Sequence, residues 1–377
     1  MFGVVYYYPL KSGAPSEVGR NLFLGLLNKK LPFKISLFSQ YKKENQSLKK
    51  EYINLDVLSF IDLLRLNKSY IVHFSVEPLV FPNRKFLLYL MSIINKKMLR
   101  RNKLIINYHG DPRTEFEIKL KNKNYLACLL LLPDYLLTPF IMENADAIVV
   151  NSYSMKELLH SMYNISNLVV IPNGLDNSWG NENDILDLKN KKNTVNLFYH
   201  GRLAPEKGVD LLIKAFSYYS GKEEVQLKLY LAGPQGDKKY ASYLRNLCIE
   251  LGIDKEVIFL GSLPITKLRL YLNSVDAAIY PSRYEPFSLA ILEAFRIVNG
   301  PVFYSNKSGI NDFVIKEGYK FYTFEPSVEE IVNSIKMLLE KSYDNKILYK
   351  QKEFAAMYTW EKIADRYIEL YKEMQNQ

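Results

Sequence analysis

Short apolar runs recur along the whole chain, and each is followed by a longer stretch whose apolar positions fall at helical spacing. In the first half the runs are Val4–Tyr8, Ile35–Phe38, Ile71–Phe74, Leu104–Tyr108, Ala147–Val150 and Val169–Ile171. In the second half they are Asn196–Tyr199, Lys228–Leu231, Val257–Leu260, Ala277–Tyr280 and Val302–Tyr304. Runs this continuous and this short predict strands buried on both faces, the habit of parallel sheets covered by helices. Strand and helix alternating in this way are βαβ units, so the fold class is α/β, with doubly wound parallel sheets.

The pattern lapses once, between Asn177 and Asn193, where Asn, Asp and Lys dominate. That shift in composition marks a linker. The expected organisation is a first Rossmann-like domain over 1–178, a linker over 179–194, a second over 195–358, and a closing helix over 359–377. A length of 377 residues suits two domains, each with its own core. Two such domains facing each other would enclose a cleft, the default place for a ligand.

The stretch from Tyr280 to Phe295 holds Glu285 and Glu293 with seven residues between them. Pro286 disfavours helix at Glu285 and fits the first turn of a helix after it, so a helix is expected to open at about Pro286. The amides near Phe287, Ser288 and Leu289 would then point at an anion. Glu293 would lie about two turns further in, roughly 10 Å along the axis. One carboxylate could hold each end of a ligand whose negative middle rests on the amides.

Other candidates sit where strands are expected to end. Arg202 and Lys207 lie in His200-Gly-Arg-Leu-Ala-Pro-Glu-Lys-Gly208, between a strand and a helix. Two cations there could neutralise a diphosphate without a metal. Gly233, in Leu231-Ala-Gly-Pro, is a second glycine turn after a strand. Gly13 follows the first strand, where backbone could approach a ligand. His109 directly follows Leu104–Tyr108 and so falls on the binding edge of the first sheet, with a side chain suited to sharing a proton. His73 lies inside a strand and reads as core, and nothing marks out His160.

Charge changes the picture for the first half. The chain carries a net charge of +10, and residues 1–178 hold 23 basic against 14 acidic side chains. A surplus of this kind points to an anionic partner. No nucleic-acid-binding signature accompanies it, so an anionic membrane surface is preferred and no nucleic-acid partner is expected. Phe86–Arg101 is an apolar helix with a basic end. Tyr125–Ile141 is very apolar but contains Pro133, Asp134 and Pro139, short of the run a span requires. Either could cover the sheet or lie in a membrane interface. Two distant cysteines, Cys128 and Cys248, suggest neither a disulfide framework nor a zinc site. The first residues lack a basic leader and run straight into a strand, so a cytoplasmic location is expected, peripheral on the cytosolic membrane face if lipid is bound.

In order, Pro-Asn-Gly at 172–174, Gly-Arg-Leu-x-x-Glu-Lys-Gly at 201–208, Ala-Gly-Pro at 232–234, Pro-Ser-x-Tyr-Glu-Pro-Phe at 281–287 and Leu-Glu-Ala at 292–294 resemble the GT-B glycosyltransferases of the large retaining family 4. Trp360–Tyr371 is similar to that family's last helix, which crosses back to the first domain. The resemblance implies two Rossmann-like domains, an acceptor-binding first and a nucleotide-sugar-binding second. It also implies transfer of a sugar, with retention, from a UDP- or GDP-sugar, with no cofactor or metal required; the basic first half and its apolar helices point to a glycan or lipid-linked acceptor at a membrane surface. On this resemblance Arg202 and Lys207 clamp the donor diphosphate, Glu293 holds the ribose, Glu285 holds the transferred sugar, and His109 lies near the reacting centre. Gly13 matches one glycine of the family's N-terminal loop, though Ala14 follows it. Ser288 stands where the family has glycine, and Asp312 where a longer acid is common. A soluble sugar acceptor is the alternative in the same class. A non-catalytic nucleotide-sugar binding module is the alternative outside it, although such a module has no reason to hold both glutamates and both cations. A dinucleotide-dependent oxidoreductase would need a G-x-G-x-x-G turn, which residues 9–16 do not supply.

Overall fold

A computed structural model of the chain describes residues 2–10, 13–39, 42–79, 85–99, 102–110, 112–121, 124–176, 178–179, 186, 194–221, 226–236 and 238–376. It divides into two compact units, Met1–Gly174 together with Trp360–Gln377, and Leu175–Thr359. Apart from Trp179, Leu186 and Thr194, the stretch read as a linker lies outside the described residues.

The first unit is built on a sheet of seven strands: β1 (Gly3–Tyr7), β2 (Lys34–Phe38), β3 (Asp56–Val57), β4 (Tyr70–Phe74), β5 (Lys103–Tyr108), β6 (Ala147–Val150) and β7 (Leu168–Val170), in the order β3-β2-β1-β4-β5-β6-β7. The second carries β8 (Thr194–His200), β9 (Gln226–Ala232), β10 (Val257–Gly261), β11 (Ala277–Tyr280), β12 (Val302–Ser305) and β13 (Thr323–Phe324), in the order β10-β9-β8-β11-β12-β13. Every pairing is parallel. Both orders reverse beside the first strand, which leaves a crevice outside the carboxyl ends of β1 and β4 and another outside those of β8 and β11. All eleven apolar runs are strands to within two residues. The edge strands β3 and β13 were not expected, because two residues are too few to show a pattern.

In the first unit the core lies between sheet and helices, with Val5, Phe74, Tyr89, Leu104, Ile106 and Ile148 at its centre. The first helix spans Ala14–Leu27. Gly13, at φ 131°, turns the chain into it, and Pro15 has the φ a first turn needs. The helix Trp360–Asn376 packs along it so closely that a Cβ on Gly25 would come within 2.7 Å of the Trp360 carbonyl oxygen. Lys29 pairs with Asp365 at 2.7 Å, and the Tyr371 hydroxyl reaches His73 Nδ1 at 2.6 Å. His73 is core, as read: fully buried, with Nε2 3.0 Å from Asn107 Oδ1. Burial pushes its pKa down to about 4.

The two apolar segments differ. Lys85–Leu99 covers the sheet with Leu88, Tyr89 and Ile93. Tyr125–Asn144 is one continuous helix of 20 residues that Pro133 and Pro139 do not interrupt. By length and composition alone it could cross a membrane, which corrects the expectation that it falls short.

Candidate functional site

The second unit assembles its polar residues at the carboxyl ends of β8, β9 and β11. Gly201 after β8 and Gly233 after β9 have φ of 149° and 141°. A Cβ on Gly233 would collide with the Gly201 carbonyl, so the two turns lie flat on each other. Backbone bonds from Gly201 to Ala232 and from Leu203 to Pro234, both 2.9 Å, fix them in register. The chain then makes a single 3₁₀ turn, Pro205–Lys207, and enters the helix Val209–Ser217 through Gly208 at φ 66°. A side chain on Gly208 would strike the Pro281 carbonyl, and this close approach brings the loop after β8 against the loop after β11.

Arg283 fastens the two loops. Its guanidinium takes both oxygens of Asp210, at 2.8 and 2.7 Å, and the Pro205 carbonyl at 2.8 Å. Its amide donates to the Glu206 carbonyl at 2.8 Å, and the Tyr240 hydroxyl donates to Asp210 at 2.6 Å. Burial alone would raise the Asp210 pKa, but Arg283 and Tyr240 outweigh it and hold the carboxyl below its usual range. With the loops so joined, Lys207 forms an ion pair with Glu285, both side chains being largely buried. Arg202 is exposed, lies with its stem against Gly236 and pairs with Glu206 at 2.7 Å. Each expected cation therefore already has a carboxylate, and an incoming anion has to compete with it.

The helix after Glu285 opens at Leu289 rather than Pro286. Residues 285–287 are drawn instead into backbone bonds with 307–310 around one parallel bridge between Glu285 and Ser308: Glu285 to Lys307 at 3.3 Å, Gly309 to Glu285 at 2.9 Å and Ile310 to Phe287 at 2.9 Å. Phe287 is buried in the core. Ser288 is the cap, at φ 83°, its Oγ accepting from the Ile291 amide at 3.3 Å. That positive φ accounts for a glycine being usual there. Leu289 and Ala290 are left as the amides of the open helix end. Glu293 is then four residues into the helix, roughly 6 Å along its axis and not 10 Å.

Glu293 is held by residues that the sequence reading left unassigned. Its Oε2 is 2.8 Å from His200 Nε2, and His200 Nδ1 is 2.8 Å from the Tyr280 hydroxyl. Burial, and then the nearby Glu293 charge, keep the Tyr280 phenol protonated well above its ordinary range. Nε2–H donates to the Glu293 carboxylate, and Nδ1 and the Tyr280 hydroxyl share the second hydrogen bond, so the ring is held on both sides and Glu293 keeps Oε1 for a ligand. His200 and Tyr280 end the two central strands, β8 and β11, so their place at a strand's end was the available signal. Among the described residues no group of three His, Cys, Asp or Glu side chains is placed to hold a metal.

In the first unit, His109 follows β5, with Nε2 3.1 Å from the Ser75 carbonyl. A carbonyl only accepts, so Nε2 carries a proton in this contact and Nδ1 is the ring nitrogen not engaged by it. Gly13 ends the loop after β1, with open space where a side chain would be. His160 bonds the Ile165 carbonyl through Nδ1 at 2.7 Å and is structural.

Residues 65–179 match the Glycosyltransferase Family 4 model, and residues 181–354 match the model of glycosyl transferases group 1. The chain is 30% identical to an uncharacterized glycosyltransferase of Methanocaldococcus jannaschii over 61% of its own length and 60% of that relative's. It is 25% identical to the lipopolysaccharide 1,2-N-acetylglucosaminetransferase of Salmonella typhimurium, over 79% of this chain and 78% of the relative. Among solved structures it superposes on Anabaena HepE in complex with UDP and glucose with a TM-score of 0.69, at 18% identity, covering 99% of this chain and 100% of that one. With the two family models side by side along 65–354, on two parallel sheets with reversed strand order, the chain belongs to the group 1, family 4 glycosyltransferases, enzymes of the GT-B fold.

Proposed function

We propose that this glycosyltransferase moves a sugar, with retention, from a UDP- or GDP-sugar to a hydroxyl of a lipid-linked or membrane-surface glycan. The observation that carries the donor side is the constellation at the ends of β8 and β11: Lys207 paired with Glu285, and Glu293 oriented by His200, around an open helix end. The donor diphosphate takes Lys207, Arg202 and the amides of Leu289 and Ala290, with no metal needed to neutralise it. Once the diphosphate engages Lys207, Glu285 is released to hold the transferred sugar, and the free Oε1 of Glu293 takes the ribose hydroxyls. The dominant contribution is charge stabilisation of the departing diphosphate, through an oxocarbenium-like state that the acceptor hydroxyl attacks from the same face. Loss of one preorganised donor of this kind costs on the order of 100-fold in rate. His109 polarises the acceptor or a sugar hydroxyl through Nδ1. The acceptor side is supported by the basic first half, by its outward leucines and by the relative that acts on lipopolysaccharide. The enzyme then works on the cytosolic face of a membrane.

A panel of UDP-, GDP- and ADP-sugars, with and without EDTA, tests the reading by release of nucleoside diphosphate. Release from one donor, insensitive to EDTA and lost in Glu293→Ala and Lys207→Ala, is expected. Saturable donor binding without release, even with membrane extract as acceptor, would refute transfer and leave a binding module. Transfer to soluble sugars alone would refute the lipid-linked acceptor.

A further inference from the structure

The helix Tyr125–Asn144 has its polarity inverted. Its one acid between 125 and 142, Asp134, is buried, and so are Thr138 and Asn144. Thr138 donates to the Asp134 carbonyl at 2.6 Å and receives the Tyr108 hydroxyl at 3.4 Å. Facing outward are Leu126, Leu129, Leu130, Leu136, Leu137 and Phe140, with Leu126 71% and Leu129 66% exposed. A water-facing helix carries the opposite arrangement. An apolar strip of this length on a water-soluble surface marks a place that something covers.

We infer that this helix is the part of the enzyme that lies in an anionic lipid surface. The inference deepens the lipid-linked reading above and, as to the acceptor, rests on it. The helix does not span the bilayer. Its inner side belongs to the core through Ile141 and Met142, and its Tyr135 ring packs on Phe116 with centroids 4.9 Å apart. One face in protein and the other in leucine place it along the membrane plane. The sign of the surface comes from charge. The strip belongs to a half of the chain that carries nine more basic than acidic residues. Leucines on a basic body are satisfied together by acyl chains and anionic headgroups.

The test is co-sedimentation of the full chain with vesicles of phosphatidylcholine, alone or with about 30% phosphatidylglycerol. Binding to the anionic vesicles is expected, at least ~10-fold tighter than to the neutral ones at low salt and weakening as salt rises. The Leu129→Glu/Leu136→Glu variant should lose binding by ~10-fold or more while its melting temperature and UDP affinity stay at wild-type values. A Tyr125→Trp variant should show blue-shifted emission on anionic vesicles. Equal binding by the glutamate variant, or none by the wild type, would overturn the inference. So would a wild-type dimer in light scattering that the glutamates split, with no vesicle binding, since a second copy would then be what covers the strip. Vesicle binding supports the inference whether or not a donor is turned over, so it is read separately from the catalytic assay.

Discussion

Glu285→Gln removes one negative charge from beside Lys207 while keeping the shape of the side chain. Both partners are largely buried, at 15% and 17% exposed. At an effective dielectric of about 20, unit charges 4 Å apart interact by about 4 kcal/mol. A diphosphate seated on Lys207 would lie further from Glu285, on the order of 6–8 Å, where the same expression gives about 2–3 kcal/mol of repulsion for each phosphate charge. Solvent and the neighbouring cations reduce this to a net gain of about 1.5 kcal/mol when the carboxylate is removed, or roughly tenfold in affinity. The variant is therefore expected to bind UDP or GDP about tenfold more tightly by titration calorimetry. Turnover should fall on the order of 100-fold, because the proposed contact to the sugar is gone. Leaving Lys207 without its counter-charge should also cost about 2 kcal/mol of stability, visible in a urea melt. An unchanged or weaker nucleotide affinity in a folded Glu285→Gln protein would refute the argument, since the pair would then be a structural tie and not a competitor for the donor.

Asp210→Asn loosens the fastening between the two loops and should cost about 2 kcal/mol at pH 7 by denaturant titration, with weakened donor binding. Because the Asp210 pKa lies below its usual 3.8, its contribution is present above that pH and is lost as pH falls through the folded value, so the variant should show a shallower acid decline. His73, neutral in the fold with a pKa of about 4, acts in a higher window. The unfolded chain takes up a proton below about 6.5, so wild type should lose on the order of 3 kcal/mol between pH 6.5 and 4, a slope that His73→Gln should flatten in melts across that range. Ser288→Gly should relieve the positive φ and stay within about 1 kcal/mol of wild type, whereas Ser288→Val should lose at least ~2 kcal/mol, each read as a shift in Tm.

Local pattern identified the strands because parallel strands are buried on both faces, and runs such as Ala277–Tyr280 have no other reading at that length. It also ordered Arg202, Lys207, Glu285 and Glu293 along one sheet edge, since each follows a strand. The partners were not legible. His200 and Glu293 are 93 residues apart, and nothing in either neighbourhood says that an imidazole will hold the carboxylate. The helix start failed for the same reason: Pro286 favours a first turn locally, but pairing of 285–287 with 307–310 outcompetes that preference. The helix at 125–144 reads as apolar all round, and only its packing shows that Asp134 is turned inward and the leucines outward.

The helix Trp360–Asn376 has a bearing on how the chain is made. Leu175–Thr359 is one continuous segment and can fold as soon as it leaves the ribosome. The first unit cannot be completed in order of synthesis, because Tyr367 and Tyr371, which close over His73, emerge nearly 300 residues after it. For most of translation β1 and β4 wait with an open flank, so the half of the molecule made first is the half finished last.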